Sequence, residues 1–290
     1  MTSTVPSTVP STPAPAGRLR LTPGRQAALI VGVPVVLALI ATYAFGLLGD
    51  FAKGSFRVDY TVPGRAGAMS MSFSGGDVTV RGGAPAPDVA RVTGTVVYSF
   101  ERATVRHTAG SISLDCPFAG FGDCALNANV SVPPQDTLNV STGGGDVSAS
   151  GLTGTERLST DGGNLTVSYA TGDLTMTTGG GDVRADHVGG ATVSLATDGG
   201  NITGSAMTSP VVTASSGGGD ITLTFTSAPR NLRVTTDGGN IRIVVPPGSY
   251  YVSKTTDGGN LGGNLSSTNG ATDTITAHSG GGDITINQSQ

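Results

Sequence analysis

Nine short glycine-rich segments place a carboxylate or amide side chain directly after two or three glycines. These side chains belong to Asp77, Asp146, Asn164, Asp182, Asn201, Asp220, Asn240, Asn260 and Asp283. Oxygen ligands of this kind bind calcium, and a Gly-Gly-x-Gly-x-Asp nonapeptide repeat does so between the coils of a β-helix. Here each segment carries a single Asp, whereas calcium takes about six to eight oxygens. The segments therefore predict structural turns, and we do not expect calcium to bind.

Catalytic side chains are scarce and scattered along the chain. Glutamate occurs only at Glu101 and Glu156, and the histidines His107, His187 and His278 share no repeat position. A polysaccharide-cleaving β-helix would need paired carboxylates in a shaped cleft, one of them with a raised pKa. We predict that the protein is not an enzyme and that it has no catalytic, cofactor-binding or metal-binding residues.

Two cysteines, Cys116 and Cys124, enclose the short segment CPFAGFGDC. Because the segment that contains them is predicted to be exported, a disulfide between them is expected in that oxidising compartment. Two cysteines without a nearby histidine are too few for a structural zinc site.

The composition favours a β protein with many turns. The chain has 290 residues, of which 46 are glycine, and each glycine disfavours a helix by about 1 kcal/mol relative to alanine. Its 16 Lys and Arg residues are outnumbered by 20 Asp and Glu, so the basic surface typical of nucleic-acid binding is missing and no nucleic-acid partner is expected.

The turn segments recur at a nearly constant period. From Asp146 onward the Asp or Asn position advances by 18, 18, 19, 19, 20, 20 and 23 residues, and a fixed period of this kind indicates a solenoid. Runs that alternate in hydrophobicity flank each turn, as in Leu232–Thr236 and Ile241–Val245, which predicts half-buried strands. We therefore predict an all-β, single-stranded β-helix (β-solenoid) of eight to nine coils of 18–23 residues, with right-handed winding favoured. A coil of about 37 residues with two unlike corners stays open as an alternative.

Two features of the turns have a physical interpretation. The glycines suit corners that need a positive φ. From Asp146 to Asn240 the turns alternate between GGGD and DGGN, which separates equivalent carboxylates by two strand spacings, about 9.6 Å, instead of one. The alternation fails at Asp237 and Asp257, which occupy the same site in consecutive turns.

The N-terminal part predicts a single membrane span. Residues 1–26 form a Pro/Ser/Thr-rich tail ending in three arginines, and residues 27–48 contain no charge. A helix of that length measures about 33 Å, enough for a hydrocarbon core of about 30 Å. The excess of arginine before the span predicts a cytoplasmic N-terminus and an extracellular C-terminal domain at the cell membrane. A cleaved signal peptide is the alternative interpretation.

Beyond the span we predict a stalk at residues 49–57, a β cap region with the disulfide at 58–137 and the solenoid repeats at 138–290. Three of the 16 basic residues precede the span and all 20 acidic residues follow it, so the exported part carries a net charge of −7. The last repeat, Asp283–Ile286, lies four residues from the C-terminus. We expect this C-terminal coil to leave an open edge that self-associates or binds a protein partner.

The segments FSGGDVTVRGG and LSTDGGNLTV resemble the bacterial “putative adhesin” family of unknown function. That family is marked by repeated Ser-Ser-Gly-Asp-Ile corners about twenty residues apart, and the resemblance covers residues 56–290. It implies a β-helix and brings no catalytic residues. Asp77, Asp146, Asp182, Asp220 and Asp283 match the family's corner Asp, whereas Asn164, Asn201, Asn240 and Asn260 depart from it.

These observations predict a membrane-anchored, non-enzymatic cell-surface β-solenoid that acts as an adhesin or as a protein-interaction scaffold of the bacterial envelope. Two alternatives stay open. The first is an envelope sensor or regulatory accessory protein, in which the Ser/Thr/Pro tail acts inside the cell. The second is a polysaccharide-active β-helix enzyme.

Overall fold

The computed structural model describes residues 53–63, 67–83, 89–99, 102–116 and 124–290. The predicted cytoplasmic tail (1–26), the membrane span (27–48) and the first residues of the stalk lie outside this part. Within it the chain is all-β and contains no helix. Accordingly, none of the described segments is a helix long and apolar enough to cross a membrane.

Seven strands form among the described residues before 133, several of them long. They are β1 (Lys53–Pro63), β2 (Ala68–Phe73), β3 (Val78–Gly82), β4 (Val89–Ser99), β5 (Thr104–Thr108), β6 (Ser111–Asp115) and β7 (Cys124–Val132).

Sixteen shorter strands follow in regular pairs. They are β8 (Thr137–Thr142), β9 (Val147–Ser150), β10 (Glu156–Thr160), β11 (Leu165–Ala170), β12 (Leu174–Thr178), β13 (Val183–Val188), β14 (Thr192–Thr197), β15 (Ile202–Met207), β16 (Val211–Ser216), β17 (Ile221–Phe225), β18 (Asn231–Thr236), β19 (Ile241–Val245), β20 (Tyr250–Thr256), β21 (Leu261–Gly262), β22 (Asp273–Ser279) and β23 (Ile284–Gln288).

The strands assemble into two long sheets. Sheet A has the order β1-β4-β7-β3-β9-β11-β13-β15-β17-β19-β23-β21, and sheet B has the order β20-β22-β18-β16-β14-β12-β10-β8-β2-β6-β5. Each coil contributes one strand to each sheet, as β8 does to sheet B and β9 to sheet A. Pairing is parallel except at the N-terminal end, where β1, β4 and β5 are antiparallel to their neighbours.

The register shows which repeat unit makes one coil. In sheet B, Leu138 pairs with Glu156, Glu156 with Leu174, and Leu174 with Val193. Successive partners are thus 18 or 19 residues apart, so one repeat forms one coil with two strands. A coil of about 37 residues is therefore wrong for this chain.

Ten strand pairs make coils of this kind. The pairs β2–β3 and β6–β7 lie within residues 58–137 and join the same two sheets as the later repeats. In the β6–β7 coil the predicted disulfide between Cys116 and Cys124, which is confirmed, stands where the other coils have a glycine-rich corner. Strands β1, β4 and β5 then cover the ends of the sheets.

The order of coils in space differs from their order in the chain at both ends. Coil β2–β3 lies between β6–β7 and β8–β9, and coil β22–β23 lies between β18–β19 and β20–β21. At each end the chain passes over one coil position and fills it with another segment. Both passing segments begin Val-Pro-Pro, at Val132 and Val245.

Aliphatic side chains fill the space between the sheets. The residue after each corner Asp or Asn forms one buried row: Val78, Val147, Leu165, Val183, Ile202, Ile221, Ile241 and Ile284 are each at most 1% exposed. Leu261, at the same repeat position, is 52% exposed. It departs from the row because β21 belongs to the outermost coil.

The C-terminal end of the solenoid differs from the open edge expected from sequence. The final repeat is enclosed between two other coils, and the outermost coil is β20–β21. Residues 263–272 cap that coil, since Leu265 is buried and the amide of Thr268 donates to the carbonyl of Tyr250. The hydroxyl of Ser267 also accepts a hydrogen bond from the amide of Val252. The prediction that the last coil of the chain forms the open edge is therefore wrong.

The observed coil order predicts which engineered cysteines will form a disulfide. Thr235 pairs with His278, and His278 pairs with Thr255. Cysteines at positions 235 and 278 lie about one strand spacing apart, within the roughly 4.4–6.8 Å that a disulfide spans, whereas positions 235 and 255 lie about two spacings apart. We expect T235C/H278C to oxidise to an intramolecular disulfide and T235C/T255C to stay reduced.

Mass spectrometry of peptides from the non-reduced protein measures both outcomes. The native Cys116–Cys124 disulfide serves as the internal reference. A 235–255 disulfide would contradict the coil order described here.

Candidate functional site

The corners between sheet B and sheet A are linked by a continuous ladder of side-chain to backbone hydrogen bonds. In each coil the side-chain oxygen of the corner Asp or Asn accepts a hydrogen bond from the corner amide of the next coil, at 2.7 to 3.0 Å. In spatial order the ladder runs Asn127, Asp77, Asp146, Asn164, Asp182, Asn201, Asp220, Asn240, Asp283 and Asn260. All nine corner residues selected from sequence lie in it, and Asn127 of the disulfide coil begins it.

Asp and Asn alternate along this ladder from Asp146 to its end. The Asn side-chain amide also donates to the preceding Asp carboxylate at 3.1 to 3.3 Å, for instance from Asn260 to Asp283. The break in alternation at Asp237 and Asp257 disappears in space, because the GGGD corner of coil β22–β23 lies between the two DGGN corners. The coil order therefore keeps these two carboxylates apart. Two charges one spacing apart would repel by about 1 kcal/mol in water and by 3–4 kcal/mol at an effective dielectric of 20.

The glycine before each Asp or Asn is required by close backbone contact. A Cβ at Gly145, Gly163 or Gly181 would overlap the carbonyl oxygen of the corresponding glycine in the preceding coil, and the same holds for Gly200, Gly219, Gly239, Gly282 and Gly259. Among the glycines of the corner motifs, only Gly76 has a positive φ. The prediction that these corners need a positive φ was therefore wrong for the other coils.

A hydroxyl that is buried in most coils completes seven of the corners. Thr160 donates to the carbonyl of Gly145 in the preceding coil and accepts from the amide of Gly163 in its own coil, at 3.0 and 3.2 Å. The same pair of bonds recurs at Thr178, Thr197, Ser216, Thr236, Ser279 and Thr256. The polar groups of the corners are thus hydrogen-bonded to one another. Within the described residues, no cluster of three or more His, Cys, Asp or Glu side chains is placed to hold a metal ion.

Glu156 occupies a position that is aliphatic in the neighbouring coils. It lies in register with Leu138 and Leu174, is fully buried, and has no hydrogen-bond partner at either carboxylate oxygen. Burial raises the pKa of Glu156 from 4.5 to about 7. This burial could not be predicted from sequence, because the glutamate lies at the start of its strand beside turn residues. Since the group is sealed from solvent, it affects stability and has no access to a substrate.

An exposed cluster lies on the opposite side of the solenoid, where strands of sheet A end. Tyr169, His187 and Ala206 have φ values of 56°, 53° and 50° and follow one another in three successive coils. This left-handed conformation costs a residue with a side chain about 1–2 kcal/mol. The rings of Tyr169 and His187 stack with centroids 4.9 Å apart, and Tyr169 is 62% exposed. A cost repeated in three neighbouring coils marks a candidate functional site.

A fixed carboxylate stands beside this stack. Asp186 accepts a hydrogen bond from the hydroxyl of Ser205 at 2.5 Å, and its other oxygen lies 3.0 Å from Nδ1 of His187. These two hydrogen bonds, first that of Ser205, hold the pKa of Asp186 below its usual range. The carboxylate stands between the hydroxyl and the imidazole, so His187 does not contact the hydroxyl of Ser205 as a base paired with a serine nucleophile would. The arrangement is suited to binding polar ligands.

A family model described as Toastrack DUF4097 matches residues 127–287. The chain belongs to the Toastrack DUF4097 family. The match begins at Asn127, where the corner ladder begins, and covers the regular part of the solenoid. No curated protein matches the chain.

Three solved structures are similar to this Toastrack protein. A “putative adhesin” from Bacteroides fragilis is 19% identical with a TM-score of 0.45, covering 81% of this chain and 97% of that one. A “putative lipid binding protein” from Parabacteroides distasonis is 11% identical with a TM-score of 0.42, covering 82% and 97%. A “putative cell adhesion protein” from Clostridium sporogenes is 13% identical with a TM-score of 0.29, covering 81% and 100%.

The corner geometry of this Toastrack domain predicts opposite responses at adjacent glycines. Gly163→Ala places a methyl group against the carbonyl of Gly145, whereas a methyl group at Gly162 meets no atom within 4 Å. We expect Gly163→Ala to lower the free energy of unfolding by about 1–3 kcal/mol, as overpacking does. Gly162→Ala should leave it unchanged or raise it by up to about 1 kcal/mol. Denaturant unfolding measures both, and equal losses would contradict a requirement set by backbone contact.

Glu156 predicts a pH dependence of stability. Because its pKa is raised in the folded state, the folded chain binds the proton more tightly, and stability is lost as pH rises from about 4.5 to about 7. Above pH 7 the loss amounts to about 3 kcal/mol. We expect Glu156→Leu to unfold at higher denaturant concentration than the wild type at pH 8, and the difference to shrink towards pH 4.5.

Glu156→Gln is the matched control, because it keeps the side-chain size and removes the titration. Its stability relative to Glu156→Leu should not vary with pH. If the difference between wild type and Glu156→Leu were equally large at pH 4.5 and pH 8, titration of Glu156 would not be its cause.

Proposed function

We propose that this Toastrack protein is a non-enzymatic, surface-displayed binding protein of the bacterial envelope, an adhesin or interaction scaffold anchored by residues 27–48. In this proposal the N-terminus is cytoplasmic and the β-solenoid lies outside the cell. The observation that carries it is the closed interior of the solenoid, whose inward rows are apolar apart from Glu156 and a few hydroxyls and are sealed by neighbouring coils. Any ligand must therefore bind to the outer faces and arcs.

The outer surface supports binding over catalysis. Parallel strands held in register by the corner ladder form a rigid platform, so surface groups are positioned before a ligand arrives, and such preorganisation favours affinity. The half-buried carboxylate of Asp186 is hydrogen-bonded to Ser205 and His187. The hydroxyl and the imidazole each contact this carboxylate and not one another, so the cluster lacks a serine–histidine contact, which supports a binding role for it.

The charge distribution favours partners that bind away from the corners. Asp146, Asp182, Asp220 and Asp283 project from the corner side at every second coil. In the intervening coils the first corner position supplies Asp161, Asp198, Asp237 and Asp257. This side carries a dense negative potential and repels anionic polymers. The outer faces and the arcs opposite the corners are the better sites for envelope partners.

The proposal predicts that cells carrying the full chain are retained on wells coated with envelope material from the same bacterium. Cells carrying a chain that lacks residues 127–290 should be washed away, because they lack the solenoid. Counting the retained cells gives the measurement, and incubation of the coating with the purified full chain should release no reducing sugar.

Display is checked with single cysteines in the same cells. Ser215 is exposed on sheet B, so S215C should react with a membrane-impermeant maleimide in intact cells, and S3C only after lysis. Equal retention with and without the solenoid would contradict the binding role. Release of reducing sugar would favour the enzyme alternative.

A further inference from the structure

One arc of the solenoid contains a row of four left-handed residues with an unusual sequence of side chains. Ser150 pairs with Ser168, and Ser168 pairs with Asp186, so the residues that follow them lie side by side. The row is therefore Gly151, Tyr169, His187 and Ala206, and all four have positive φ. It begins with no side chain, continues with two rings and ends with a methyl group.

The missing side chain leaves a shelf beside the tyrosine ring. His187 covers one face of the Tyr169 ring, so the other face is directed towards the coil of Gly151. A Cβ built at Gly151 would meet no atom within 4 Å, and the position of the next coil beyond is taken by Gly82 and Gly83. Coils are spaced by about 4.8 Å, so the coil of Gly151 leaves room for one ring beside Tyr169.

The residue types in this row are poor choices for stability alone. Glycine and asparagine adopt the left-handed conformation with the least strain, whereas a bulky ring there is a genuine outlier. Tyr169 is also among the most exposed large side chains of the described chain, at 62%. A residue that is both strained and exposed adds little to the core, so its ring has a use at the surface.

Polar groups surround the shelf along the neighbouring row of sheet A. In register across the coils this row reads Arg81, Ser150, Ser168, Asp186 and Ser205. Ser150 and Ser168 precede Gly151 and Tyr169 in the chain, and the alternation of buried residues along β9 and β11 places both half-buried serines on the outer face. Arg81 is exposed and stands one coil beyond Ser150, about two spacings, or 9.6 Å, from Ser168.

We propose that this shelf binds a pyranose ring of a glycan, stacked on the free face of Tyr169 over Gly151. The flat C–H face of the sugar packs on the aromatic ring, and its hydroxyl groups bond with Ser150 and Ser168. Arg81 binds an acidic group on an adjoining sugar, so acidic glycans bind more tightly than neutral ones. The biological setting rests on the proposed surface function, but the binding event does not.

The test measures binding of two defined hexasaccharides to the full chain in detergent micelles by calorimetric titration. The neutral probe is cellohexaose, and the acidic probe is an α-1,4-linked hexamer of galacturonic acid. We expect Tyr169→Ala to weaken binding of both probes by roughly tenfold, given the usual contribution of an aromatic stacking contact. Arg81→Gln should weaken binding of the acidic hexamer only.

Two further variants separate binding from folding. Tyr251 is another exposed tyrosine, at 50%, on the outermost coil, and Tyr251→Ala should leave both affinities unchanged. Tyr169→Gly removes the ring and restores the residue best suited to a positive φ. We expect it to lose binding as Tyr169→Ala does while its melting temperature is equal to or higher than that of the wild type.

Several outcomes would overturn the proposal. They are no binding of either probe by the wild type, equal affinities for wild type and Tyr169→Ala, or a loss with Tyr251→Ala as large as that with Tyr169→Ala. Displacement of the bound hexamer by an aromatic peptide at equal concentration would also overturn it, since the shelf would then favour another class of ligand. Cells that are retained on envelope-coated wells equally well with Tyr169→Ala would leave the adhesin role intact and reject the shelf as its site.

Discussion

The contact between glycine backbones at successive corners is the constraint on which the rest of the structure depends. At Gly163 the chain runs so close to the corner of the preceding coil that no Cβ fits. That proximity brings the amide of Asn164 within 2.7 Å of the Asp146 carboxylate and the hydroxyl of Thr160 within 3.0 Å of a carbonyl. Because every coil repeats these contacts, the corners fix the register of both sheets.

The ladder also accounts for the order of the coils. A carboxylate has no donor, so an Asp accepts amides from the next coil, whereas an Asn both accepts one and donates one back. Alternation of Asp and Asn therefore satisfies more hydrogen bonds than a run of Asp and separates the charges. Placing coil β22–β23 between β18–β19 and β20–β21 extends this alternation to Asn260. The chain-order arrangement would instead set Asp237 beside Asp257.

Much of the regular architecture could be predicted from sequence, and the exceptions have physical causes. The corner residues, the buried row that follows them and the disulfide have strong local signals. The displaced coils have no such direct signal, since the repeat spacing does not show which distant segments pair with each other. Their indirect signals were the failed alternation at Asp257, the long step of 23 residues before Asp283, and the Val-Pro-Pro segments. Proline favours the extended chain needed to pass over a coil position.

The candidate site was not predicted from sequence, because its residues are not constrained by neighbouring coils in the way that the corner residues are. The corner Asp or Asn and the glycine before it are constrained from both sides by neighbouring coils, so nearly any new side chain at these two positions breaks contacts that hold the register. The left-handed positions at or just after the ends of β9, β11, β13 and β15 do not belong to such a ladder, and the residues there vary from glycine to tyrosine, histidine and alanine. Tolerance to variation on a rigid framework is the condition under which binding residues arise. A sequence period marks the residues that repeat, whereas the candidate site of this solenoid lies at positions where the repeated residue type varies.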